Sequence, residues 1–117
     1  MADQRRVYKV AEQLRSIVAM ELHQLPDPRF NLVTITSVML SPDLRHAKIY
    51  WTSVDPDFKR EDVETAFLEG ASEIRRVVAK KLTVRSAPEL RFYFDETIEA
   101  VNRVEKLLNE VSRGKEK

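Results

Sequence analysis

Six bases crowd the stretch from Ile74 to Arg91, namely Arg75, Arg76, Lys80, Lys81, Arg85 and Arg91, against the single acid Glu89, for a net charge of +5. If this stretch is helical, Arg76 and Lys80 stand one turn apart with Arg75 beside them, while Ile74, Val77 and Val78 point the other way. A cationic ridge held clear of a core suits phosphate: lysine offers a point charge, and arginine a planar fork that can hold two phosphate oxygens. Such contacts keep a nucleic acid in register without reading its bases. The plainer alternative is a solvated helix face. Immediately upstream the sign reverses. Val54 to Glu73 carries Asp55, Asp57, Glu61, Asp62, Glu64, Glu69 and Glu73 against Lys59 and Arg60, a net charge of −5.

A second constellation is aromatic and basic. On strands, Tyr50, His46, Lys48, Arg91 and Tyr93 would share an outward face on which unpaired bases could stack. Tyrosine on a solvated or helix-covered strand is common, however. Catalytic chemistry finds little to work with. His23 and His46 have no third ligand at a metal-binding spacing. No Gly-rich phosphate loop, His-Glu-x-x-His or Gly-x-Ser-x-Gly occurs. Asp43 and Asp95 sit where a turn and a helix cap need them. No catalytic residue, metal site or cofactor is expected.

The elements that must position these groups follow from periodicity. Val7, Val10, Ala11, Leu14, Ile17, Val18, Leu22 and Leu25 recur at three- and four-residue steps, a long first helix that Pro26 and Pro28 stop. Leu32 to Leu40 predicts a strand, with Val33, Ile35 and Met39 alternating against Thr34, Thr36 and Val38. Ser41-Pro42-Asp43 supplies a turn. A second strand runs from Leu44 to Ser53, with Ala47, Ile49 and Trp51 inward. From Arg60 a helical pattern leads through Val63, Ala66 and Phe67 to Ile74, Val77, Val78 and Leu82. Its halves fall out of step across Gly70-Ala71-Ser72, so two short helices or one kinked helix are expected. Leu90 to Asp95 predicts a third strand, and Asp95 an N-cap for a last helix with Ile98, Val101, Val104, Leu108 and Val111 on one face.

With 117 residues, 43% apolar and 33% charged, the chain has the size and composition of one folded domain with frayed ends. The absence of cysteine excludes disulfides and zinc-thiolate sites. Apolar runs fall well short of a membrane span, and Met1 to Arg6 lacks the apolar core of a secretory signal, so a cytoplasmic location is expected.

Several fragments together resemble the ribosome-binding factor A family, from near Arg5 to about Leu108. They are Asp27-Pro28-Arg29; Val38 with Ser41, Asp43-Leu44, Ala47-Lys48 and Tyr50; Ile74-Arg75 with Leu82 and Arg85; and Pro88-Glu89-Leu90 with Phe92 and Asp95. The resemblance implies an α+β, KH-like fold of the second topology, a three-stranded sheet covered by helices in the order α-β-β-α-α-β plus a C-terminal helix. A KH-like ribosome-binding domain would occupy residues 1–111, and a flexible basic tail 112–117. It further implies a non-enzymatic factor that binds the free small ribosomal subunit and its rRNA during late maturation and processing, in the cytoplasm, with a link to growth in the cold. No small-molecule substrate or membrane is implied, and a monomer is expected. The family's central Ala-x-Gly kink matches Ala71-Ser72-Glu73 here, with Gly70 just before, so glutamate stands where the family has glycine. Carried onto this chain, rRNA contact falls on Arg75, Arg76, Lys80, Lys81 and Arg85, with Arg45 and Lys48 on the hairpin as secondary candidates. Arg103, Lys106, Arg113, Lys115 and Lys117 are further possible contacts. The rival readings are a generic single-stranded RNA binder using the tyrosine face, and a protein-interaction module using the segregated charge.

Overall fold

Asp3 opens the first helix by accepting the Arg6 backbone N–H at 2.9 Å, which satisfies one of the donors a helix start leaves free. This helix, α1, runs Gln4–Gln24 and buries Val10, Leu14, Val18 and Leu22. Leu25 leaves in an extended conformation ahead of Pro26. A 3-10 turn, Pro28–Phe30, follows, closed by Asp27 accepting the Arg29 N–H at 3.0 Å. The computed structural model describes residues 3–115, and at 98–100, 102 and 112–115 its backbone only.

Strands β1 (Val33–Leu40) and β2 (His46–Ser53) pair antiparallel, and β3 (Glu89–Phe94) joins β2 in parallel, giving the order β1-β2-β3. The hairpin turn is held by side chains. The Ser41 hydroxyl donates to Asp43, Asp43 accepts the Arg45 N–H, and Ser41 Oγ accepts the His46 N–H. These bonds hold Leu44 at φ 62°, a left-handed conformation costing a leucine about 1–2 kcal/mol. Asp43 therefore serves the turn, as its position in the sequence suggests.

Helix α2 spans Arg60–Lys81 without interruption, so of the two forms expected, a pair of short helices or a single kinked one, the chain takes a single helix. Its stripe is also in step. Val63, Ala66, Phe67, Ile74 and Val78 are buried, and Gly70 fills the core-facing slot between Phe67 and Ile74. The ring of Phe30 lies over that slot, 3.8 Å from where a β-carbon on Gly70 would stand. The sequence reads as broken there because an aromatic ring from elsewhere supplies the missing apolar group.

α1 packs on β1, α2 on β3, and the two helices on each other, all on one face of the sheet. The core between these layers carries Leu14, Val18, Ile49, Trp51, Val63 and Ile74, essentially without solvent contact. Phe67 is its aromatic hub, with ring centroids 5.0 Å from Phe30, 5.3 Å from Trp51 and 4.4 Å from Phe92.

One expectation about faces needs correction. A bulge between Ile35 and Ser37 shifts the register, so that Val38 and Leu40 turn inward and Met39 outward, 62% exposed. One extra residue in a strand reverses every later side chain. The last helix, α3 (Thr97–Lys115), does form, but its apolar side does not cover the sheet. Val101, Val104, Leu107, Leu108 and Val111 are 51–63% exposed, and among the described residues α3 has no packed interface with the other layers. The molecule is accordingly elongated, 63 × 35 × 17 Å. The helix passes the expected boundary at 111 and continues to Lys115; the rest of the anticipated basic tail, residues 116–117, lies outside the described residues. No helix among the described residues is long and apolar enough to cross a membrane.

Candidate nucleic-acid interface

The basic half of α2 is built by its buried half. Ile74 and Val78 anchor the helix in the core, which turns Arg75, Arg76, Lys80 and Lys81 to solvent. Lys80 and Lys81 occupy the last turn, and Glu61 and Asp62 the first. Each sign therefore also sits where the helix dipole favours it, so part of the charge segregation serves the helix itself. The helix ends as Leu82 turns extended, and the connection to β3 carries exposed Arg85. At the start of β3 the Glu89 N–H donates to the carbonyl of Arg45 at 2.8 Å. The hairpin turn and the start of β3 thus meet at one end of the sheet.

The cations are not equivalent. Arg76 is committed to Glu73, its Nε donating at 3.2 Å and its Nη2 forming an ion pair with the same carboxylate. That hydrogen bonding, and then the charge of Glu73, hold the Arg76 guanidinium above its ordinary value, with buried Glu21 of α1 adding attraction from across the helix pair. Reciprocally, Arg76 and, less, Lys80 hold the Glu73 carboxyl below the usual glutamate range. Arg75, Lys80, Lys81 and Arg85 are exposed and form no ion pair with any described residue. Of the ridge anticipated from Arg75, Arg76 and Lys80, Arg76 is therefore the member already paired within the chain. An i,i+3 acid–base pair is a readable sequence signal, and Glu73/Arg76 has that spacing.

Lys48 does not join this group. It lies on β2 facing away from the helices, so the sheet separates it from α2. The anticipated kink residues Gly70, Ala71, Ser72 and Glu73 stay within the continuous helix. Gly70 receives Phe30, and Arg29, beside it, is clamped by Asp27 at 2.8 Å and by Glu69 of α2 at 3.0 Å. Hydrogen bonds from Arg29 hold the Asp27 carboxyl below its ordinary range. That clamp ties the 3-10 turn to α2 just before the basic half begins. Arg103 and Lys106 are exposed on α3; the side chains of Arg113 and Lys115, and all of Lys117, lie outside what is described.

The histidines take separate places. His23 rests 3.4 Å from the carbonyl of Val33, and His46 lies 3.4 Å from Glu89. Asp95 accepts the Thr97 N–H at 2.9 Å and the Thr36 hydroxyl at 2.6 Å. It therefore braces the start of α3, as anticipated from its position, and also ties the end of β3 to β1. A cleft of about 450 Å³ between α2 and β3, floored by Trp51, Phe67, Leu90 and Phe92, has Arg60 and Arg91 at its rim. Arg60 lies over the Phe94 ring, 4.5 Å from its centroid, and is paired with Glu64 and Glu96.

Comparison with known proteins adds independent findings. Residues 6–108 match the sequence model of ribosome-binding factor A. The chain is 41% identical over 108 residues to ribosome-binding factor A of Geobacter metallireducens, covering 92% of each protein. It is 35% identical over 111 residues to that of Geobacter sulfurreducens, covering 94% of each. Among solved structures, the Thermotoga maritima protein, a putative ribosome binding factor A studied in solution, shares the fold with a TM-score of 0.69 at 31% identity, over 85% of this chain and 95% of that one. A homology model of the Thermus thermophilus factor, fitted into a cryo-EM map of a complex of that factor with the 30S subunit, gives a TM-score of 0.64 at 25% identity, over 74% of this chain and 92% of that one. The α+β, KH-like arrangement is common to them.

Proposed function

This chain belongs to the ribosome-binding factor A family, and from that premise we propose that it is a non-enzymatic assembly factor that docks on the free small ribosomal subunit and promotes late maturation and processing of its rRNA. The observation that carries the placement is the set of exposed cations Arg75, Lys80 and Lys81 in the C-terminal half of α2, a helix whose other side is locked in the core, with exposed Arg85 in the connection just after it. The Thermus relative fitted into a 30S complex supports the choice of partner. Cations at helical spacing on a rigid support meet phosphates without reading bases, so shape would select the site. The effect is thermodynamic: binding one rRNA conformer about 1.4 kcal/mol more tightly than another shifts their ratio about tenfold. On this reading the protein acts as a monomer in the cytoplasm, needs no cofactor, and matters most for growth in the cold.

The test is sedimentation of purified subunits with the protein at several salt concentrations. Wild type should travel with free small subunits, with an affinity that falls steeply as salt rises. Each phosphate contact adds about 0.7–0.9 to the log–log slope. Arg75→Glu with Lys80→Glu should abolish co-sedimentation and lower the thermal melt only slightly, because both residues are exposed and only Lys80 lies in the last turn, where the helix dipole favours a cation. Retained binding by that double variant would overturn the placement.

A further inference from the structure

Both helices that pack on the sheet lie on one side, and no described helix covers the other. The register arranges that open face in rows. Ser37 on β1 is level with Tyr50 on β2 and Tyr93 on β3, and the next row is Met39, Lys48 and Arg91. Tyr50 and Tyr93 form a pair with ring centroids 5.8 Å apart and planes tilted by 34°. Tyr93 is 38% exposed. The bulge in β1 has a consequence here, since it is what delivers Met39 to this face beside Lys48.

Charge says what the face fits. Lys48 and Arg91 adjoin the tyrosines, and Arg45 follows at the turn. Glu89 is paired with Arg91 at 3.1 Å and faces His46, and Asp95 is turned onto Thr36 and Thr97, so Lys48 and Arg45 are the cations of this face that form no ion pair with any described residue. Accessible aromatic surface with a cationic border matches the two parts of an unpaired nucleotide, an apolar base with a π-face and an anionic phosphate. Two residues along a strand span about 6.6 Å, the scale of one nucleotide in a stretched single strand. A base resting on Tyr93 would therefore leave its phosphate near Lys48 or Arg91.

We propose that this open sheet face, centred on Tyr50 and Tyr93 and bordered by Lys48, Arg91 and Arg45, is a second contact surface that takes one or two unpaired nucleotides of single-stranded RNA. It goes beyond docking through α2, lies on the opposite side of the sheet, and does not depend on it. The protein would then grip RNA from two sides, a folded phosphate surface on α2 and a loose strand on the sheet.

The test uses the isolated full chain and an eight-nucleotide oligouridylate or oligoadenylate, with a duplex RNA of the same length as control, followed by NMR of the tyrosine rings. The chain has three tyrosines, and Tyr8 on α1 serves as internal reference. Single strands should shift the Tyr50 and Tyr93 signals and leave Tyr8 in place, and the duplex should shift none. Tyr93→Ala should weaken binding about fivefold or more, the loss of one base–ring stack. Lys48→Glu, at an exposed position where folding is not at stake, should weaken it as well and flatten the salt dependence. In the α2 variant Arg75→Glu with Lys80→Glu the tyrosine shifts should persist, which separates failure here from failure of subunit docking. The proposal is overturned if single strands leave both rings unmoved, or if Tyr93→Ala and Lys48→Glu bind as wild type does. It is equally overturned if the face is covered in cell extract by a partner that survives nuclease, since that would make it a protein-docking surface.

Discussion

Helices α2 and α3 are of similar length, 22 and 19 residues, and each carries an apolar stripe along a charged body. One is embedded and the other is not. In α2 the stripe is clamped by Phe30 from the 3-10 turn, Trp51 from β2 and Phe92 from β3, so its orientation is settled and its cations are aimed. In α3 the same kind of stripe meets solvent. Amphipathic periodicity thus specifies a helix and the side that would be buried, and says nothing of whether the chain holds a partner for it. Only the embedded helix can present charge at fixed spacing, which is why α2 carries the docking proposal.

That contrast can be broken by mutation. Phe67→Ala removes the hub of the embedded stripe and should cost about 3–5 kcal/mol in denaturant unfolding, the range for truncating a buried aromatic ring. A loss below about 1 kcal/mol would mean that α2 is far less firmly held than its ring contacts indicate. Gly70→Ala probes the middle of the same stripe. The added methyl meets Phe30 and Ile74 at ordinary van der Waals distance, so better helix propensity should raise stability by about 0.5–1 kcal/mol. Destabilisation instead would show that Gly70 is needed for a bend that alanine cannot make. Smallest of all, Val104→Ser with Leu108→Ser on α3 should change the unfolding free energy by no more than about 0.5 kcal/mol, since both side chains already contact water. A cost of 2 kcal/mol or more would place the α3 stripe in a buried interface in solution and erase the difference between the two helices.

Much of this fold was legible from local pattern. The first helix shows itself through three- and four-residue steps from Val7 to Leu25, and the hairpin through β-branched residues on either side of Ser41-Pro42-Asp43. The inward set Ala47, Ile49 and Trp51 follows from simple alternation and is buried. Alternation alone misplaces Met39, because Thr36 and Ser37 at the bulge suit either face of a strand and leave no mark in composition. Gly70 looks like an interruption in the sequence because the group that fills its slot, Phe30, lies forty residues upstream. Of the candidate site, exposure of the basic helix end was readable from Ile74, Val77 and Val78. The commitment of Arg76 to Glu73 was within reach of the i,i+3 rule.

From its sequence alone this protein had its element types, its turn chemistry, the sign of charge on each half of α2 and its family likeness, because each depends on neighbours within a few residues or on the order of motifs. Tertiary structure decided that α2 is one helix under Phe30, that Lys48 stands across the sheet from Arg75, that two tyrosines meet on an open face, and that the α3 stripe stays in water. Those outcomes turn on strand register and on which distant groups arrive to pack, and neither is written in the local order of residues.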